Sequence, residues 1–304
     1  ATHGRSFWIL DDITPLRYLK QTRLEEPVYL LKPRPVYRPL TTLGEITPER
    51  IGPGKNYWIA IGTEATFEDN EEADGTQTRT FLDAGHNPPS GATISYNLKQ
   101  GSSSKGVKIT ILDAEQSTVT KVTGLPAEAG MNRFIWDMRH PGPVEAPGDS
   151  DSFLIAGPSP KGPLVTPGNY TIKLELEGKV STQILKVLKD PKSEATDADL
   201  DKQLELLIHI RDKLSETNET INKLRSNRSR LQKYLATTDG VSEKSDITAT
   251  GLGIIKSLDV MESRLISTWD TSERGQMGTP LPKLVDALAA LVTVVESADS
   301  SPTL

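Results

Sequence analysis

Apolar and polar positions alternate through the middle of the chain and then change period near residue 195. Thr93 to Leu98 places Ile94, Tyr96 and Leu98 on one face. Val107, Ile109 and Ile111 alternate with Lys108, Thr110 and Leu112. Val119 and Val122 mark a shorter run, and Arg133 to Asp137 follows a turn at Gly130. Tyr170, Ile172, Leu174 and Leu176 alternate with Thr171, Lys173 and Glu175. Ser181 to Val187 closes the set after a turn at Glu177-Gly178. A period of two sends successive side chains to opposite faces. Short strands of this kind, separated by turn residues, predict an antiparallel sandwich of immunoglobulin or fibronectin type. The Pro- and Gly-rich stretch 139–167 reads as an irregular loop within it.

Beyond residue 195 the period is helical, after cap candidates at Thr196 to Asp199. Leu207, Ile210, Leu214, Thr217, Ile221, Leu224, Arg228, Leu231 and Leu235 alternate spacings of three and four, which is an a/d seam. A second seam runs through Ile254, Leu258, Met261, Leu265 and Trp269. A third runs through Leu281, Leu284, Leu288, Leu291 and Val295. Polar, glycine-bearing loops at 237–245 and 272–278 separate them. The pattern predicts three antiparallel helices in a bundle.

The first quarter is less regular. Ser6 to Leu10 is a short apolar run that predicts one buried strand. Thr14-Pro15 opens a short helix over 14–20. Pro27, Pro33, Pro35, Pro39, Pro48 and Pro53 rule out a central strand or a long helix. That stretch is expected to be an extended connector lying across a neighbouring surface. Tyr57 to Ile61 predicts another strand, and the acidic run Glu68 to Gly75 a solvated loop.

Composition narrows the functions. A length of 304 residues allows two or three domains. The net charge of -6 argues against a nucleic-acid surface, which needs clustered Lys and Arg. No apolar run is long enough for a helical membrane span. The lack of cysteine excludes disulfides, thiolate metal sites and a cysteine nucleophile. No repeat of propeller length is visible, so at most a fragment of one blade is present. The first residues have no leader-like apolar region and no Met, which reads as a processed or partial chain.

Candidate chemistry is sparse. His3, His86, His140 and His209 have no metal-ligand spacing. Asp11 and Asp12 are adjacent in a strand-like run and diverge, so a turn with Asp12 or Thr14 capping the next helix is favoured over an acid–base pair. Asn70, Glu72, Asp74 and Gly75 fit the start of a calcium loop, but Phe81 stands where a bidentate Glu is required. Three N-glycosylation triplets begin at Asn169, Asn218 and Asn227, the last two on a helix. Phe134 and Trp136 share a face and are expected in the sandwich core rather than on a sugar platform. Arg211, Lys213, Lys223, Arg225, Arg228, Arg230 and Lys233 make the first long helix basic. Interleaved Asp212, Glu216 and Glu219 suggest a salt-bridged face, with docking of an acidic partner as the alternative. No phosphate-cradling loop or nucleophile elbow occurs. No catalytic, cofactor-binding or metal-binding residue is assigned, and no cofactor is expected.

Several strings resemble one family. Ala1 to Asp12 resembles the last blade segment of bacterial BNR-repeat, sortilin-like β-propeller proteins, often labelled glycosyl hydrolases. Asn87 to Ala92 leading into Ile94-Ser95-Tyr96, Gly130 to Arg139, and Pro163 to Tyr170 are similar to that family's C-terminal sandwich. The helix with Ile210-Arg211-Asp212 and Asn218 to Ile221 is similar too. The resemblance implies a multi-domain β plus α chain: the end of a propeller blade and a short helix over 1–25, a Pro-rich connector with a short strand and acidic loop over 26–86, a β-sandwich over 87–192, and a helical bundle over 193–304. It implies that both ends are incomplete and that any catalytic carboxylates lie in an upstream propeller. The expected function is a non-catalytic structural or interaction region of an exported protein, periplasmic, cell-surface or extracellular. It would brace or present the propeller, or dock to another protein of a surface or periplasmic assembly. The alternative is the accessory region of a glycoside hydrolase. Neither nucleic acid nor a membrane span is expected.

Overall fold

The computed structural model describes residues 12–18, 25–39, 54–60, 63–71, 77–82, 91–103, 106–146, 160–237, 244–266 and 283–302. The strand expected at 6–10, and with it the propeller-like string, lies outside these residues. The chain is a mixed β plus α protein.

After a short helix α1 (Thr14–Tyr18), two sheets share one core. The first sheet holds β1 (Val28–Leu30), β6 (Ala92–Leu98) and β9 (Gly130–Trp136), all antiparallel in that order. The second holds β2 (Val36–Tyr37), β11 (Lys179–Leu188), β10 (Gly168–Leu176), β7 (Lys108–Leu112) and β8 (Thr118–Thr123). Within it β2 alone runs parallel to its neighbour, β11. Ile94, Tyr96 and Leu98 from one sheet meet Ile109, Ile111, Ile172, Leu174 and Leu185 from the other, all fully buried. The alternation that predicted these strands is therefore the alternation that fills the core.

The first strands lie inside the stretch read as a connector. Val28–Leu30 pairs with Tyr96–Leu98, and Val36 pairs with Val187. Pro33 and Pro35 fall between them and lack the N–H a ladder needs, so the chain leaves one sheet and joins the edge of the other. Leu30 ties the two sheets: its N–H donates to Ser181 Oγ, and its carbonyl accepts from Gln183 Nε2. At the opposite hairpin, Leu176 pairs with Lys179, leaving a two-residue turn. Both turn residues have positive φ, 49° at Glu177 and 77° at Gly178, the geometry that matches strand twist in tight hairpins.

Between β2 and β6 the chain forms a separate antiparallel meander of β3 (Gly54–Ala60), β4 (Thr63–Glu71) and β5 (Gln77–Phe81). The acidic run expected as a solvated loop is in its first part a strand. Asp69 is buried and sits opposite Arg79, which grips it with Nε and Nη2 at 2.7 and 3.0 Å. The same guanidinium lies 4.0 Å over the Phe67 ring. A bidentate carboxylate pair on an aromatic face offsets the burial of both charges.

The helices differ from a three-helix bundle. Helix α2 (Asp197–Thr237) has 41 residues, about 60 Å of rise. Thr196 caps it: Asp199 N–H donates to Thr196 Oγ1, and Thr196 N–H donates back to Asp199 Oδ2. Helix α3 (Lys244–Leu265) runs antiparallel along the far half of α2, with Gly251 against Leu235 and Glu262 against Arg225. Helix α4 (Leu284–Glu296) continues along the near half, where Val292 packs with Leu207 and Ile210. Thus α3 and α4 lie nearly end to end along one long helix and barely touch each other. This changes which positions are inward. On α3, Gly251, Glu262 and Ile266 at its end are buried, whereas Ile254 and Met261 of the expected seam are exposed.

Candidate functional site

Among the described residues, a dense set of engaged polar side chains spanning distant parts of the chain lies where the sheets meet the helices. Segment 138–140 and segment 162–165 form a short ladder: His140 N–H donates to Pro163 O, and Val165 N–H donates to Met138 O. Their approach is so close that a Cβ at Gly162 would collide with the His140 carbonyl. Two arginines grip this ladder. Arg38 Nε donates to Val165 O at 3.0 Å, and Arg139 Nη1 donates to Gly162 O at 2.6 Å.

Each guanidinium also reaches the end of α4. Arg38 Nη1 pairs with Asp299, the two side chains only 5% and 6% exposed. Arg139 Nη1 pairs with Glu296 at 3.0 Å. Carboxylates at a helix C-terminus oppose the negative end of the helix dipole. The two arginines reverse that penalty and fasten the helix end to the segments that follow β2 and β9, one from each sheet. From the other side, Gln203 of α2 is buried and donates from Nε2 to Val295 O and Ala298 O, both at 2.7 Å. These carbonyls have no intrahelical donor of their own.

The loop after Arg139 then lies along α2. Arg211 Nη1 donates to Pro141 O, Ser215 Oγ accepts from Val144 N–H, and Asn218 and Asn222 donate to Val144 O and Glu145 O. Ala146 is buried with Ile221 and Ile266. His140 is half-buried here, and burial, reinforced by Arg211, holds its pKa below the usual histidine value. The whole junction is a set of paired charges and amide-to-carbonyl bonds suited to fixing geometry.

The residues weighed from sequence fall elsewhere or take structural parts. His3, His86 and Asp11 lie outside the described residues, and His209 is exposed on α2. Asp12 caps α1 by accepting from Thr14 N–H at 2.9 Å; burial raises its pKa, but the hydrogen bonds with Thr14 win and lower it. Of the calcium-like set, Asn70 lies on β4 in register with Thr78, while Glu72, Asp74 and Gly75 lie outside the described residues. Among the described residues no group of three or more His, Asp or Glu is placed to hold a metal.

Trp136 is buried, donates from Nε1 to Arg139 O, and meets Tyr170 edge-on at 5.6 Å. Phe134 packs against the same core from a partly buried position. Asn169 and Asn227 are exposed, but Asn218 is buried. The basic face of α2 is salt-bridged: Arg211 pairs with Asp212, Lys213 with Glu216, Arg225 with Glu262, and Arg228 with Asp259 and Glu262. Three of these five pairs, made by Arg225 and Arg228, cross to α3 rather than running along one helix. Arg38 and Arg139 had no sequence signal, since their acids lie 261 and 157 residues away.

No family model matches the chain, and no curated protein matches it. A solved structure titled "Biofilm associated protein - BSP domain" is similar over 54% of this chain and 30% of its own, at 15% identity and a TM-score of 0.18. The chain thus spans less than a third of that structure, and so low a score carries no argument about fold or function. No helix among the described residues is long and apolar enough to cross a membrane.

Proposed function

We propose that this chain is a non-catalytic structural and interaction region, a fibronectin-like sandwich fixed to a helical layer. Together they brace or present a β-propeller carried upstream in the same exported polypeptide. The observation that carries the proposal is the double arginine clamp. Arg38 and Arg139 join the sandwich to the end of α4 through paired, largely buried charges. A hinge between independently working domains would avoid such a cost, because a buried pair must be complete to be tolerated. Sandwich and helices are therefore built to move as one body, which suits a spacer or brace.

The strand order supports the sandwich type: three strands, β1-β6-β9, face β2-β11-β10-β7-β8. So does Tyr170 near the start of β10, whose hydroxyl donates to Thr166 O at 2.6 Å, as in the tyrosine corner of such folds. The propeller, export and a place in a surface assembly rest on the sequence resemblance alone. Intact mass of the natural gene product tests the proposal first. A product with upstream propeller repeats is expected, and one starting near Ala1 overturns it. If the repeats are present, their hydrogen exchange should quicken when Arg38→Met loosens the clamp. Unchanged exchange would contradict the bracing role.

A further inference from the structure

Helix α4 presents apolar residues on its inner and outer sides alike, and its one uncharged polar side chain, Thr293, donates back to Ala289 O. Its two charged residues are engaged inward: Asp286 is buried and accepts from Lys283 N–H, and Glu296 pairs with Arg139. Its inner face buries Ala289 and Val292, yet Leu284, Leu291 and Val294 stand 45%, 42% and 67% exposed on the outer side. A helix hydrophobic all round belongs in an interior, and 13 residues are too few to span a bilayer. Helix α3 adds exposed Ile247, Ile254 and Met261. These are spaced by seven, as are Leu284 and Leu291 on α4. Tyr234 of α2 borders the same side, where it, Ile247 and Ile254 line an apolar groove of about 330 Å3.

We infer that this strip is a homodimer interface, covered by the same strip of a second copy of the chain. Three observations choose that occupant. First, apolar residues at intervals of seven form the seam that packs a helix pair against another helix pair. Second, α3 and α4 end to end give a strip ~50 Å long and ~10 Å wide, so two copies would bury about 1,000 Å2, the lower bound for a specific interface. Third, the strip residues carry no charge at neutral pH, so identical strips meet across a two-fold axis without like-charge repulsion. The inference is independent of the upstream propeller.

The test uses the 304-residue chain in sedimentation velocity from low to high micromolar concentration. The chain should form a dimer. Ile254→Glu and Leu291→Glu, both at already exposed positions, should each raise the dimer dissociation constant by about tenfold or more. Val260→Glu, exposed but off the strip, should not. Circular dichroism confirms that each variant folds. A second readout does not depend on tolerating a charge. In this cysteine-free chain, alkylation of Met261→Cys should slow as protein concentration rises, and alkylation of Val260→Cys should not. A chain monomeric throughout, a dimer indifferent to both glutamates, or concentration-independent alkylation of Met261→Cys would each overturn the inference. So would protection of that thiol in the monomer, which would mean that the chain covers the strip with its own residues. A strip that binds only a different protein overturns it equally.

Discussion

Arg38→Met keeps an unbranched apolar stem of similar reach and removes the guanidinium. Two groups then lose their partner. Asp299, whose side chain is 6% exposed, keeps a charge with nothing opposite it. The Val165 carbonyl loses the Nε–H donor. Breaking a buried ion pair from one side costs about 3–5 kcal/mol, because the remaining charge stays desolvated. An unmet buried carbonyl adds ~1 kcal/mol. A loss of about 4–6 kcal/mol is a large part of the ~5–15 kcal/mol that holds a domain folded. Urea unfolding followed by far-UV circular dichroism, dominated by the helices, and by near-UV signals of the buried aromatics should show coincident transitions in the natural chain. In Arg38→Met the helical transition should shift to lower urea and separate from the other. Adding Asp299→Leu should recover most of the loss, since an apolar pair removes both desolvation penalties. An Arg38→Met variant within ~1 kcal/mol of the natural chain, with no coupling to Asp299 in the double-mutant cycle, would refute the clamp.

Other outcomes follow from the same contacts. Gln203→Leu keeps the buried volume but strands two carbonyls at the end of α4, and urea unfolding should show a loss of about 2 kcal/mol. Gly162→Ala should cost ~1–3 kcal/mol by forcing the 138–140 and 162–165 segments apart, read as a fall in melting temperature. Burial pushes the Tyr96 phenol up to about 12 from its ordinary value of 10.0. The unfolded chain therefore ionises first. The contribution of Tyr96 is fully present below pH 10.0 and is lost as pH rises through about 12. Burial raises the Tyr170 phenol as well, so an ultraviolet titration should show late tyrosine ionisation whose amplitude falls by one phenol in Tyr96→Phe but does not vanish.

Period carried the legible part of the fold. The alternation at Tyr170 to Leu176 and the Glu177-Gly178 turn specify β10, β11 and their register together, because one slipped residue would expose Ile172 and Leu174. The α2 seam was equally plain from Leu207 to Ile221, all of it buried. Short elements were hidden. Val28–Leu30 is a three-residue strand beside prolines, and its identity depends on β6, about seventy residues later in the chain. Asp69 looked like part of a solvated acidic run because its partner, Arg79, arrives only through a hairpin. The spacing of the α3 and α4 seams was legible, though Trp269 and Leu281 of those seams lie outside the described residues, and periodicity does not say which neighbour fills them. With both helices laid along α2, that neighbour covers Gly251, Glu262 and Ile266 and leaves Ile254 and Met261 outside. The clamp was invisible for the same reason, since ion pairs across the length of a chain leave no local pattern.

The central claim is that sheets and helices form one body. It is tested most directly by an electron-spin distance measurement between labels at Lys186→Cys on β11 and Glu219→Cys on α2, both exposed positions in a chain with no cysteine of its own. One narrow distance distribution is predicted for the natural sequence, with marked broadening when Arg38→Met and Arg139→Met are added. A broad distribution in the natural sequence would contradict the account.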